Sequence, residues 1–145
     1  MRTETATRPE ARTYERSRRF LLTAAGILVL TAVSGCAIDG TAAAGTAQKF
    51  QQTLAASDWS AACAMLQADT REKTAKGGTC EEHLQALQVP EPGTVIQTAV
   101  YGRSAFIEFE DDAVFLAAAE GGWKVTAAGC TPNGEKPYTC EVGGD

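Results

Sequence analysis

Residues 94–127, TVIQTAVYGRSAFIEFEDDAVFLAAAEGGWKVTA, decide the fold, because here the apolar period of the chain becomes two. Val95, Gln97, Ala99 and Tyr101 alternate with Ile96, Thr98 and Val100 up to a turn at Gly102. Ala105, Ile107 and Phe109 then form an apolar face opposite Phe106, Glu108 and Glu110. After a turn at Asp111-Asp112, Val114, Leu116 and Ala118 alternate with Ala113, Phe115 and Ala117. Glu120-Gly121-Gly122 turns the chain into Trp123–Ala127. Four short strands joined by short turns predict an antiparallel meander.

Upstream the period is helical. Residues 46–56 carry Phe50 and Leu54 at helical spacing among good helix formers. Ser57 or Asp58 is placed to cap a second helix through Trp59, Ala62, Cys63 and Leu66. Residues 70–76 read as a polar continuation or turn, broken by Gly77-Gly78. Thr79 and Glu82 match a capping box for a helix over Cys80–Leu87, which Pro90 and Pro92 end. Helices first and strands after predict an α+β domain, with the helices packed on one face of a curved antiparallel sheet of about four strands.

The amino-terminal third reads differently. Residues 1–19 are polar and rich in Arg, ending in Arg16-Ser17-Arg18-Arg19, and an apolar run follows from Phe20 to Val33. Fourteen residues are too few to span a bilayer core, which takes about 20, but they suit the apolar region of a signal peptide. The run ends in Val33-Ser34-Gly35-Cys36, which resembles the lipobox of bacterial lipoproteins. That resemblance implies cleavage before Cys36 and a diacylglyceryl and palmitate-type anchor on its thiol. The alternatives are an uncleaved membrane anchor and a plain secretory signal. Ser17-Arg18-Arg19-Phe20-Leu21-Leu22 also resembles a twin-arginine export motif, although two arginines serve equally as the basic flank of a general export signal. The expected organisation is a signal peptide over 1–35, a lipidated tether over 36–45 and the α+β domain over 46–145.

Charge divides at the same cysteine. Residues 1–35 hold six Arg and three Glu, whereas residues 36–145 hold seven Lys or Arg against fifteen Asp or Glu, a net of −8. An acidic domain is a poor match for nucleic acid, whose phosphates need a basic surface. It also gains nothing from anionic headgroups, so membrane attachment must come from the lipid on Cys36.

With Cys36 acylated, Cys63, Cys80, Cys130 and Cys140 form an even set in an exported domain. Four cysteines allow three connectivities; local pairing, Cys63 with Cys80 and Cys130 with Cys140, is the expectation. A four-thiolate zinc site is the rival, but no two of these cysteines stand two to four residues apart. No Cys-x-x-Cys redox pair occurs either.

Three helices followed by four strands, with Gly122-Trp123-Lys124-Val125 late in the chain, is an order similar to NTF2-like (cystatin-like) domains. That resemblance implies a curved sheet around a helix, with a cavity between them. The run Gly122–Cys130, with Tyr138-Thr139-Cys140 after it, resembles the carboxy-terminal part of a group of uncharacterised actinobacterial lipoproteins, and it brings no assigned activity.

Candidate chemistry is sparse. His83 is the sole histidine, beside Glu81 and Glu82, and reads as a solvent-facing helix residue. Glu108, Glu110, Asp111 and Asp112 form the densest acidic stretch; it reads as a hydrated face running into a charged turn, with no calcium-loop pattern. Trp59, Tyr101, Phe106 and Trp123 are the candidate pocket-lining residues, or plain core. No metal, cofactor or catalytic group is expected. The functional expectation is a non-enzymatic envelope lipoprotein on the extracytoplasmic face of the cell membrane, binding a protein partner. The alternative is a pocket for a small molecule or lipid, and an enzyme ranks third.

Overall fold

The computed structural model describes residues 40–87 and 92–144. The signal-peptide segment, Cys36 and the helix-ending Pro90 lie outside the described residues. Helix α1 spans Gly40–Ala55 and buries Ala43, Ala47, Phe50, Gln51 and Leu54, a stripe three and four residues apart. Residues 40–45, read as the part of the tether that could merge into the first helix, are helical. The apolar stripe continues upstream through Ala43, whose small side chain gives a weak sequence signal.

Asp58 caps α2 (Trp59–Met65) by accepting a hydrogen bond from the Ala61 amide at 3.1 Å. Leu66 then goes extended and forms a parallel bridge with Val125, and the Gln67 amide donates to the Val125 carbonyl at 2.8 Å. This tie to the sheet makes residues 68–74 a separate helix, α3 (Ala68–Thr74), rather than a continuation of α2. Thr70 is buried on that helix and donates its hydroxyl to the Thr126 carbonyl at 3.1 Å. Helix α4 (Cys80–Ala86) starts with the reciprocal Thr79–Glu82 capping box. A disulfide joins Cys63 of α2 to Cys80 of α4.

The strands are β1 (Val95–Tyr101), β2 (Ser104–Phe109), β3 (Ala113–Ala119), β4 (Gly122–Asn133) and β5 (Lys136–Gly143). All pairs are antiparallel and the sheet order is the chain order, so the domain is α+β on an open meander. The sheet has five strands where the period of residues 94–127 counts four. The fifth strand depends on the extension of β4 to Asn133 and a two-residue turn at Gly134-Glu135, with Gly134 at φ 61°. Gly at the first of the two turn positions is a hairpin signal. Cys130 and Cys140 are cross-strand partners in that hairpin and are disulfide-bonded.

Ala105, Ile107, Phe109, Val114, Leu116, Val125 and Val142 face the helices and pack with Phe50, Leu54, Leu66 and Leu84 into the main core. Full burial of each large member contributes about 1.5–3 kcal/mol.

The opposite face carries aromatic contacts of its own. Tyr138 on β5 stands three strand intervals from Phe106 on β2, about 14 Å between backbones in a flat sheet. Their ring centroids are 5.8 Å apart, so the two rings lean together across the strands between them. Irregular pairing between β3 and β4 at Ala113–Leu116 supplies local twist. Gly143 (φ 66°) permits the close approach of β5 to β4, since a Cβ there would run into the Thr126 carbonyl.

Candidate binding groove

Phe106 and Phe115 pair directly across β2 and β3, alternating with the core residues Ala105, Ile107, Val114 and Leu116. They therefore lie on the face away from the helices. Their ring centroids are 5.2 Å apart and tilted by 51°. Tyr138 completes a triangle, 5.8 Å from Phe106 and 5.5 Å edge-on to Phe115. Each such pair adds roughly 0.5–1.5 kcal/mol beyond its buried area. Beneath the triangle a second small cluster is formed by Ala113, Ala127 and Cys130, with Cys140 packed against it.

Beside these rings lies an open groove of about 410 Å³, lined by Gln97, Tyr101, Ser104, Ala105, Phe106, Phe115 and Tyr138. None of these residues carries a charge at neutral pH, and the polar groups are one amide, one hydroxyl and two phenols. Such a surface recognises apolar and aromatic groups, with a few hydrogen bonds to set orientation.

Of the four aromatics proposed from sequence, Tyr101 and Phe106 line the groove. Trp59 and Trp123 lie on the other side, half-buried against the main core. Phe115 and Tyr138 are the groove residues that the sequence reading missed. Phe115 stood in plain alternation with Ala113 and Ala117, and Tyr138 became visible only with the fifth strand.

A second cleft, about 330 Å³, is lined by Lys73, Thr74, Lys76, His83, Glu141, Gly143 and Gly144. His83 is exposed there, on α4. Among the described residues no group of three or more His, Cys, Asp or Glu is arranged to hold a metal. None of the described helices is long and apolar enough to cross a membrane.

The acidic stretch divides. Glu110 is exposed and accepts a hydrogen bond from the Thr94 amide at 3.2 Å, and Asp111 is exposed. Asp112 departs from the hydrated turn expected of it, being only 6% exposed. Its Oδ1 accepts a hydrogen bond from Gln51 Nε2 of α1 at 2.8 Å, and its backbone carbonyl accepts from the Phe109 amide. Burial raises the Asp112 carboxyl above the usual carboxylate range. The Gln51 amide and the Gly129 backbone oppose that rise, and the Asp111 charge adds to it.

No protein-family model, curated protein or solved structure matches the chain. The functional reading therefore rests on its own residues.

Proposed function

We propose that this chain is a bacterial lipoprotein, acylated on Cys36, whose domain is a non-enzymatic recognition module on the extracytoplasmic face of the cell membrane. The lipobox-like run before Cys36 supports the anchor, and the two disulfides fit an oxidising compartment. The NTF2-like and actinobacterial resemblance belongs to the same reading, supported by the order of helices then antiparallel strands and by the packing of the helices on one face of the sheet.

The observation that carries the module reading is the uncharged aromatic groove around Phe106, Phe115 and Tyr138. It is open rather than enclosed and holds no charged side chain to serve as acid, base or metal ligand. A partner protein inserting an apolar side chain suits that shape. A small apolar molecule is the second reading, favoured by a volume of about 410 Å³, within the range of ligand pockets.

Two measurements test this. Intact-mass analysis should find acyl groups on an amino-terminal Cys36, and Cys36→Ala should release or mislocalise the protein. A Cys36→Ala chain that stays anchored and uncut would sink the lipoprotein reading. Crosslinking in native envelopes should trap an envelope protein with the wild type and lose it with Phe115→Ala. A small molecule that co-purifies with the wild type and is lost from the variant would replace the partner reading with the pocket reading.

A further inference from the structure

The outer edge of β1 is unlike the rest of this acidic domain. Strand β1 ends the sheet, so one row of its backbone groups has no neighbouring strand. Edge strands are usually protected by charge, but residues 92–102 contain no Asp, Glu, Lys or Arg. Ile96 is 60% exposed and Tyr101 is 71% exposed; among the described residues these are the most exposed large apolar side chains.

The chain also leaves the domain at this strand. Gly40 opens α1 over Thr98 and Val100, where a Cβ on Gly40 would lie 3.1 Å from Thr98 Cγ2. Counting along β1, Ile96 is about 7 Å and Tyr101 about 10 Å from Thr98. From Gly40 back to Cys36 is four residues, a reach of at most about 14 Å. An acyl-bearing Cys36 sits within the headgroup layer, itself roughly 5–8 Å thick per leaflet. On the lipoprotein reading, this tether holds Gly40 within about 14 Å of the anchor, close enough for the β1 edge beneath it to reach the bilayer surface.

We propose that the edge of β1, with Ile96 on one face of the strand and Tyr101 on the other, rests in the interfacial layer of the bilayer that holds the Cys36 lipid. This rests on the lipoprotein reading above. Tyr101 suits such a layer, where an aromatic ring meets lipid and its hydroxyl meets water. Charge selects the same edge. The domain's net −8 is repelled by anionic headgroups, and an uncharged strand is the part that approaches them at least cost. The aromatic groove, entered beside Tyr101, then opens next to the membrane surface.

The test uses the acylated full-length product, verified by intact mass, in phosphatidylcholine vesicles carrying bromine near the headgroup. Tyr101→Trp and Ile96→Trp are compared with Glu72→Trp on α3, after subtraction of the native Trp59 and Trp123 signal. Docking requires the added emission at 96 and 101 to be quenched roughly twofold, and that at 72 to be unchanged. Equal quenching at all three sites overturns the docking while leaving the lipoprotein reading intact. Shielding at 96 and 101 without bromine quenching, in a protein that has become a dimer, assigns the edge to a second copy and also overturns it. An intact mass without acyl groups overturns both readings together.

Discussion

Replacing Asp112 with Asn should stabilise the protein at neutral pH. Gln51 Nε2 donates to Asp112 Oδ1, but Gln51 Oε1 and Asp112 Oδ2 are both buried without a hydrogen-bond partner. Both free oxygens are acceptors, so what the pair lacks is a donor on residue 112 aimed at Gln51 Oε1. An Asn amide offers such a donor at every pH and removes the buried charge, at the expense of the Gly129 backbone interaction with the carboxylate. Two orphaned acceptors cost at least about 1 kcal/mol each, and exchanging a charged acceptor for a neutral one returns about 1 kcal/mol of that. The net gain is about 1 kcal/mol, a Tm rise of roughly 4–8 °C for a domain of this size.

The sign with pH follows from the raised carboxyl of Asp112. The folded state holds this proton more tightly than the unfolded chain, so the stabilisation is complete below the unfolded pKa. It is lost as pH rises through the folded pKa. Thermal unfolding by circular dichroism should therefore give nearly equal Tm values for wild type and Asp112→Asn at about pH 4, diverging toward about pH 8. A variant less stable than wild type at neutral pH, or two curves parallel across that range, would refute the reasoning.

Three further outcomes follow from the packing. Breaking the Cys63–Cys80 bridge with Cys63→Ser and Cys80→Ser together should cost about 3 kcal/mol in denaturant unfolding, because the bridge closes a loop of 17 residues. Thr79→Ala removes the hydroxyl that accepts from the Glu82 amide and should cost about 1 kcal/mol in the same assay. Gly143→Ala should cost more than Thr79→Ala, because its Cβ meets the Thr126 backbone in a left-handed conformation; a neutral result would mean that β5 shifts freely on β4.

What could be read from the chain was local. The Thr79–Glu82 box, the Asp58 cap and the alternation of β1 to β3 depend on neighbours a few residues away, and they stand where the pattern put them. Local pairing of the four cysteines followed from their spacing. What stayed hidden depends on contacts across the chain. Residues 68–74 form their own helix because Leu66 and Gln67 pair with Val125, almost sixty residues away. Asp112 looked like one more turn carboxylate until α1 brought Gln51 to it, across 61 residues. The groove was half legible: Tyr101 and Phe106 stand out in the sequence, but only ring contacts across the sheet bring in Tyr138, and neither tryptophan joins them. The fifth strand differs, since its turn at Gly134-Glu135 carries a local signal.

The chain-order sheet has a consequence for how the domain assembles. Every ladder joins strands adjacent in sequence, so each can zip from its own turn without first closing a long loop. The costly closures are those that bring the helices to the sheet, through the shared core and through Leu66 to Val125, Thr70 to Thr126 and Gln51 to Asp112. We expect the meander to form early and these ties late. Mutation of Phe106 or Phe115, which pair within the sheet, should slow refolding, whereas Thr70→Ala should mainly speed unfolding. The opposite partition in stopped-flow kinetics would mean that the helices organise the sheet. With sheet first, Cys130 and Cys140 come into register by strand pairing, so oxidation follows the fold and does not direct it.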